Sequence, residues 1–170
     1  MSRKVTISEL RSIPLFSSLS DEVLERIASC AGRVSFAASD VILTEGREND
    51  RLFCLLSGRL QVSRGSGPTD VVLSELRAGS VLGELTFIEP GAATATATAL
   101  EAGEAVVLSA AAFSEVEREQ PAAALALLRR LALTLKERLA EANALLLTHK
   151  GIHDAFSEVE ELRLSLGQLI

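Results

Sequence analysis

The segment GELTFIEPGAATATATAL, Gly83 to Leu100, holds the residues best suited to binding chemistry. Gly83 has no Cβ and lets the backbone come close to a ligand. A short helix beginning near Glu84 would direct N–H groups and a positive dipole end at an anion. Glu84 itself also suits a helix start, where a carboxylate stabilises the dipole. Its right half, GAATATATAL, is almost wholly Ala and Thr, and the segment holds no basic side chain. An anion held here would depend on backbone amides, which grip less firmly than a bidentate guanidinium.

Other reactive residue types form no constellation. Cys30 and Cys54 are the only thiols. One sits in a helical pattern and the other in a strand pattern, so both are expected as buried, reduced side chains. Two scattered thiols cannot supply an iron–sulfur site. His149 and His153 are four apart, a spacing that shares a helix face. Gly151 lies between them and no third ligand accompanies them, so no metal site is expected. Ser and Glu are plentiful, but no base–nucleophile pair or nucleophile elbow is present, and the chain reads as a non-enzyme.

The 170-residue chain suffices for one domain with a core plus a helical appendage. Hydrophobic residues make up 48% and charged residues 24%, but Trp and Tyr are absent. The core must therefore come from Leu, Val, Ile and Ala, and a ligand site lacks large aromatic plates for stacking. The formal net charge of -6 argues against nucleic acid as a partner. No apolar run reaches the length of a membrane span, and MSRKVTISEL has no signal-peptide core, so a cytoplasmic location is expected.

TISELRSIPLF reads as a helix ending in a Pro-containing bend. SLSDEVLERIASCAG reads as a second helix, with Ser20 as N-cap and Gly32 as C-cap candidate. The period then becomes alternating. VSF, DVILTEG, RLFCLLSGRLQVSR, DVVLSEL and ATATATALEAGEAVVLS are short β-type runs broken by turn-formers, among them GSGPTD at 65–70. SAAAFSEVEREQ is helical again, and Pro121 opens a longer helix to about Thr148. Leu125, Leu128, Leu131, Leu135, Leu139, Ala142 and Leu146 form a seam with a mean spacing of about 3.5 residues, the coiled-coil period. Part of it is expected to pack on the chain's own sheet and part on a second copy. DAFSEVEELRLSLGQLI is amphipathic and could extend the helix or fold back on it.

Helices, a β-roll with one short internal helix, and a long C-terminal helix follow one another in that order. EGRENDRLFCLLSGRLQV (45–62) resembles the strand–turn–strand signature of the cyclic-nucleotide-binding domain superfamily. That is the sensory domain of catabolite activator proteins, kinase regulatory subunits and nucleotide-gated channels. RAGSVLGEL (77–85) resembles the entry to the family's phosphate-binding cassette. Gly46, Gly58, Gly79, Gly83 and Glu84 fall where the family pattern asks for them, and the resemblance covers roughly residues 10 to 147.

The resemblance implies that Glu84 accepts a bond from a ribose 2′-hydroxyl of cAMP or cGMP, with Gly83 and Leu85 beside it at the cassette. It also implies an arginine about nine residues on, paired with the cyclic phosphate. Here the chain departs from the pattern. Without gaps, Ala93 stands at the arginine's place and Thr94 follows; an offset of two residues puts Gly91 there instead. Thr94 can still donate its hydroxyl. Arg138 and Asn143 match the helix segment that covers the base.

The expected fold is α+β: an antiparallel β-roll or jelly roll (double-stranded β-helix) flanked by N-terminal helices and a long C-terminal helix. Residues 1–120 would form the roll with its N-terminal helices, and 121–170 a dimerising or regulatory segment. The expected function is a regulatory module with weak or absent cAMP/cGMP binding, dimeric through the C-terminal helix and open to a protein partner, with neither nucleic acid nor membrane. A non-sensing docking scaffold, or the sensory part of a transcriptional regulator, remains the alternative.

Overall fold

The computed structural model describes residues 4–65 and 70–167, with side chains of the C-terminal helix described to residue 144 and at 146. The first helix, α1 (Ile7–Arg11), is set by a capping box: Thr6 accepts from the Glu9 amide and Glu9 accepts from the Thr6 amide. The second, α2 (Asp21–Cys30), starts at Ser20, whose hydroxyl accepts from the Val23 amide at 3.5 Å. Its end differs from expectation. Gly32 is no left-handed cap; Ala31 is already extended and Gly32 opens a strand paired with Val107. Strand pairing, not a turn, ends the helix.

Among the described residues ten strands follow: β1 (Gly32–Phe36), β2 (Val41–Leu43), β3 (Glu48–Asn49), β4 (Arg51–Leu55), β5 (Arg59–Arg64), β6 (Val71–Arg77), β7 (Val81–Leu82), β8 (Gly91–Ala92), β9 (Thr96–Glu101) and β10 (Gly103–Ser109). One short helix, α3 (Glu84–Ile88), interrupts them between β7 and β8. All pairings are antiparallel. One sheet has the order β1-β10-β4-β7, the second β2-β9-β5-β6, and β3 pairs with β8 alone. After β10 come α4 (Ala110–Glu119) and α5 (Pro121–Gly167). The last helix runs past Thr148 and through Gly151, since one internal glycine costs only about 1 kcal/mol against Ala.

The period of two in β4 and β10 builds two cores on opposite faces of one sheet. Phe53, Leu55 and Ala105 join Phe36, Leu60, Ala97 and Ala99 between the sheets. Leu52, Cys54, Val106 and Leu108 face the other way, against Phe16 of the turn after α1 and Leu10, Leu24, Ile27, Phe113, Leu127 and Leu131 of the helices. The seam of α5 therefore divides. Leu131 is fully buried in this helical core, while Leu125, Leu139 and Leu146 are exposed.

The chain falls into two compact units, Met1–Leu131 and Ala132–Ile170. Among the described residues, no helix is long and apolar enough to cross a membrane, and no His, Cys, Asp or Glu cluster could hold a metal. Most of the loop GSGPTD, and the side chains of His149 and His153, lie outside the described residues.

Candidate functional site

The candidate site lies along β3, α3, β8 and the turn into β9. Gly83 is N-cap to α3 with φ +79°, and a Cβ there would sit 2.3 Å from the Arg51 carbonyl oxygen. Only glycine lets β4 and the start of α3 come so close. No side chain caps this helix, and first-turn amides have no intrahelical acceptor. Glu84, the first residue of α3, is buried despite its charge, and Leu85 beside it is half exposed.

Two residues that carried no signal in the sequence complete this corner. The Asn49 amide donates to the Arg51 carbonyl at 2.8 Å and to Thr86 Oγ1 at 2.6 Å. The Thr86 hydroxyl donates in turn to the Gly83 carbonyl at 3.2 Å. Asn49 thus ties β3 to the first turn of α3. It sits in GREND, where Asn and Asp read simply as turn-formers. The other side of α3 is fixed by packing, with the Phe87 ring 5.1 Å from that of Phe113 on α4. Beneath, burial pushes the Cys54 thiol well up, and the charge of Glu84 adds to it. Cys54 is an unreactive core side chain, as its pattern implied.

The return strand has the form expected of Thr-Ala alternation. In β9, Ala97 and Ala99 are buried between the sheets while Thr96 and Thr98 are half buried. Upstream, β8 pairs Ala92 with Glu48 and Gly91 with Asn49. The pairing continues one step as a bulge: the Ala93 amide donates to the Arg47 carbonyl and the Gly46 amide to the Ala93 carbonyl, both at 2.8 Å. Gly46, at φ +76°, is the left-handed first residue of that bulge. Ala93 is buried, and Thr94 is exposed in the turn after it.

Gly83, Glu84 and Leu85 at the start of α3, and Ala93 and Thr94 just after β8, lie in the unit Met1–Leu131. Arg138 and Asn143 lie on α5 in the unit Ala132–Ile170, half buried and exposed respectively. The cassette's donors, its buried carboxylate and its small side chains suit binding a hydroxylated anion.

The model of the cyclic nucleotide-binding domain matches residues 33–120, just over half of the chain and all of the cassette. This chain belongs to the cyclic nucleotide-binding domain family. It is 33% identical over 101 residues to cGMP-dependent protein kinase, isozyme 1, from Drosophila melanogaster, covering 58% of this chain and 13% of the kinase. Among solved structures it resembles the N-terminal domain of a transcriptional regulator from Streptomyces coelicolor A3(2). That match has 30% identity and a TM-score of 0.67, covering 79% of this chain and 94% of that one. It also resembles the Thermus thermophilus catabolite activator protein, at 27% identity and a TM-score of 0.68, over 78% of this chain and 61% of that one. The cyclic nucleotide-binding domain therefore spans only a small part of the kinase. Its fold is the antiparallel roll with N-terminal helices and a long C-terminal helix.

Proposed function

We propose that this cyclic nucleotide-binding domain is a regulatory module with a weakened phosphate site, one that takes cAMP or cGMP feebly or not at all. Ala93 carries this reading. It occupies the ungapped place of the phosphate-pairing arginine, is buried, and brings no charge. Glu84 is retained for the ribose hydroxyl, with Gly83 and Leu85 at the helix start and Thr94 as hydroxyl donor. Arg138 and Asn143 of α5 are the candidates to cover the base.

The energetics set the scale. Removing one partner of a buried charge-assisted pair costs about 2–5 kcal/mol, roughly 30- to several thousand-fold in affinity. A micromolar site would fall toward millimolar. A ligand so held can still act by favouring one arrangement of the long helix, provided its affinity differs between the two.

Calorimetry with cAMP and cGMP tests the reading. We expect dissociation constants from the high-micromolar range upward; a low-micromolar constant for cAMP would overturn it. A second reading makes the domain the sensory part of a transcriptional regulator, or a scaffold that does not sense. It is favoured by the 94% coverage of the Streptomyces regulator's N-terminal domain.

A further inference from the structure

We infer that Arg47 supplies the cation of this cassette from the opposite strand, in place of the side chain absent at Ala93. The inference rests on the cassette reading above and deepens it: residual nucleotide affinity runs through Arg47.

Gly46 and Arg47 together oppose Ala93, and Arg47 is the residue whose carbonyl accepts from the Ala93 amide. Cross-strand partners of an antiparallel pair stand side by side on the same face, with Cβ atoms about 4.5–5.5 Å apart. A guanidinium on Arg47 therefore starts next to the place from which one on residue 93 would start. The alternation along the strand agrees. Arg47 lies one residue before β3, and carrying the strand's alternation back by one step puts it on the face of Asn49, whose amide reaches Thr86 in the first turn of α3. Arg47 lies one step along that face, on the side of Ala93.

The guanidinium is also available. Arg47 is exposed, and among the described residues no carboxylate or carbonyl holds its side chain. The neighbouring acids are engaged elsewhere: Glu45 with Arg64 Nε at 3.4 Å and the Gly65 amide at 2.9 Å, Asp50 with Arg51 Nε at 3.7 Å. Glu48 points to the other face, paired with exposed Ala92. Electrostatics give the guanidinium a task. A phosphate brought to α3 would lie close to the buried carboxylate of Glu84 with no basic side chain contributed by residues 83–100. A cation from across the ladder offsets that repulsion. Being more exposed than a buried arginine, it does so with less energy and more sensitivity to salt.

The test is calorimetry with cAMP and cGMP on the whole chain, comparing wild type, Arg47→Ala, Arg47→Lys, Ala93→Arg and the double variant. Wild type should bind weakly, with affinity falling as salt rises. Arg47→Ala should lose at least about tenfold, and Arg47→Lys should keep part of the affinity. Ala93→Arg should gain roughly 30-fold or more and should make the Arg47→Ala change nearly silent. Circular dichroism should show all variants folded. If Ala93→Arg binds but wild type does not, or wild type and Arg47→Ala bind equally, the role of Arg47 is overturned and the cassette stands. If neither wild type nor Ala93→Arg binds, the cassette reading itself falls, and the role of Arg47 with it.

Discussion

At the scale of single residues, the glycines that spaced the family pattern are also the ones the backbone requires. Gly46, Gly58, Gly79 and Gly83 all take positive φ. Gly83→Ala combines a left-handed backbone, costing an L-residue about 1–2 kcal/mol, with a Cβ 2.3 Å from a carbonyl oxygen. We expect a melting temperature lowered by several degrees, with nucleotide binding lost by more than stability alone explains. Gly46→Ala meets open space, so it should show the backbone penalty alone. A second residue-scale prediction concerns acid. The Arg33 guanidinium, itself buried, bonds Glu9 and Glu104, each at 2.7 Å. Its hydrogen bond is the main reason the Glu9 carboxyl falls from 4.5 to about 2, and burial opposes it. A carboxyl whose folded value is depressed adds stability above its ordinary value and loses it as pH falls through the folded one. Wild type should therefore lose on the order of 2–3 kcal/mol between about pH 4.5 and 2 from this pair. Glu9→Gln keeps an acceptor for the capping box and should flatten that part of an acid unfolding curve. If both proteins lose stability in parallel, the pair does not set the acid limb.

At the scale of elements, legibility followed signal length. Ser20 and Pro121 marked helix starts because a cap or a fixed φ is a one-residue cause. The strands β5 and β9 showed their alternation plainly, and β4, β6 and β10 read as short apolar runs between turn-formers. The strands β3, β7 and β8 did not, because two residues carry no period. Two of them, β3 and β8, line the candidate site, so Asn49 carried no sequence signal while Gly83 and Glu84 did. Gly32 misled for a related reason: a glycine after a helix looks like a cap until its strand partner is known. The edge strand β6 offers a prediction of its own. It pairs only with β5 and leaves Val71, Val72 and Leu73 more than half exposed. Unpaired apolar edges invite association with another chain. Val72→Lys should shift the melting temperature little, within about 0.5 kcal/mol of stability, while lowering turbidity on heating at high concentration. Unchanged turbidity would mean that association begins elsewhere.

At the scale of the whole molecule, the question is what α5 does with the leucines its own domain leaves uncovered. Leu127 and Leu131 are fully buried and belong to the helical core. In the second unit Ala132, Leu139 and Leu146 recur every seven residues, and all three are exposed. A strict seven-residue repeat is the pattern of a left-handed helix pair, since each knob returns to the same seam. We propose that this second stripe joins two copies, with two-fold symmetry making the same leucines face one another. The two stripes predict different mutants. Leu131→Ala opens a cavity in the domain core and should cost about 2–5 kcal/mol whatever the protein concentration. Leu139 is exposed, so Leu139→Glu removes no buried contact. It should leave the domain folded by circular dichroism, halve the mass seen by light scattering at micromolar concentration, and abolish any dependence of the melting temperature on concentration. A wild type that scatters as a monomer at high micromolar concentration would refute the dimer and leave this stripe to a different protein partner.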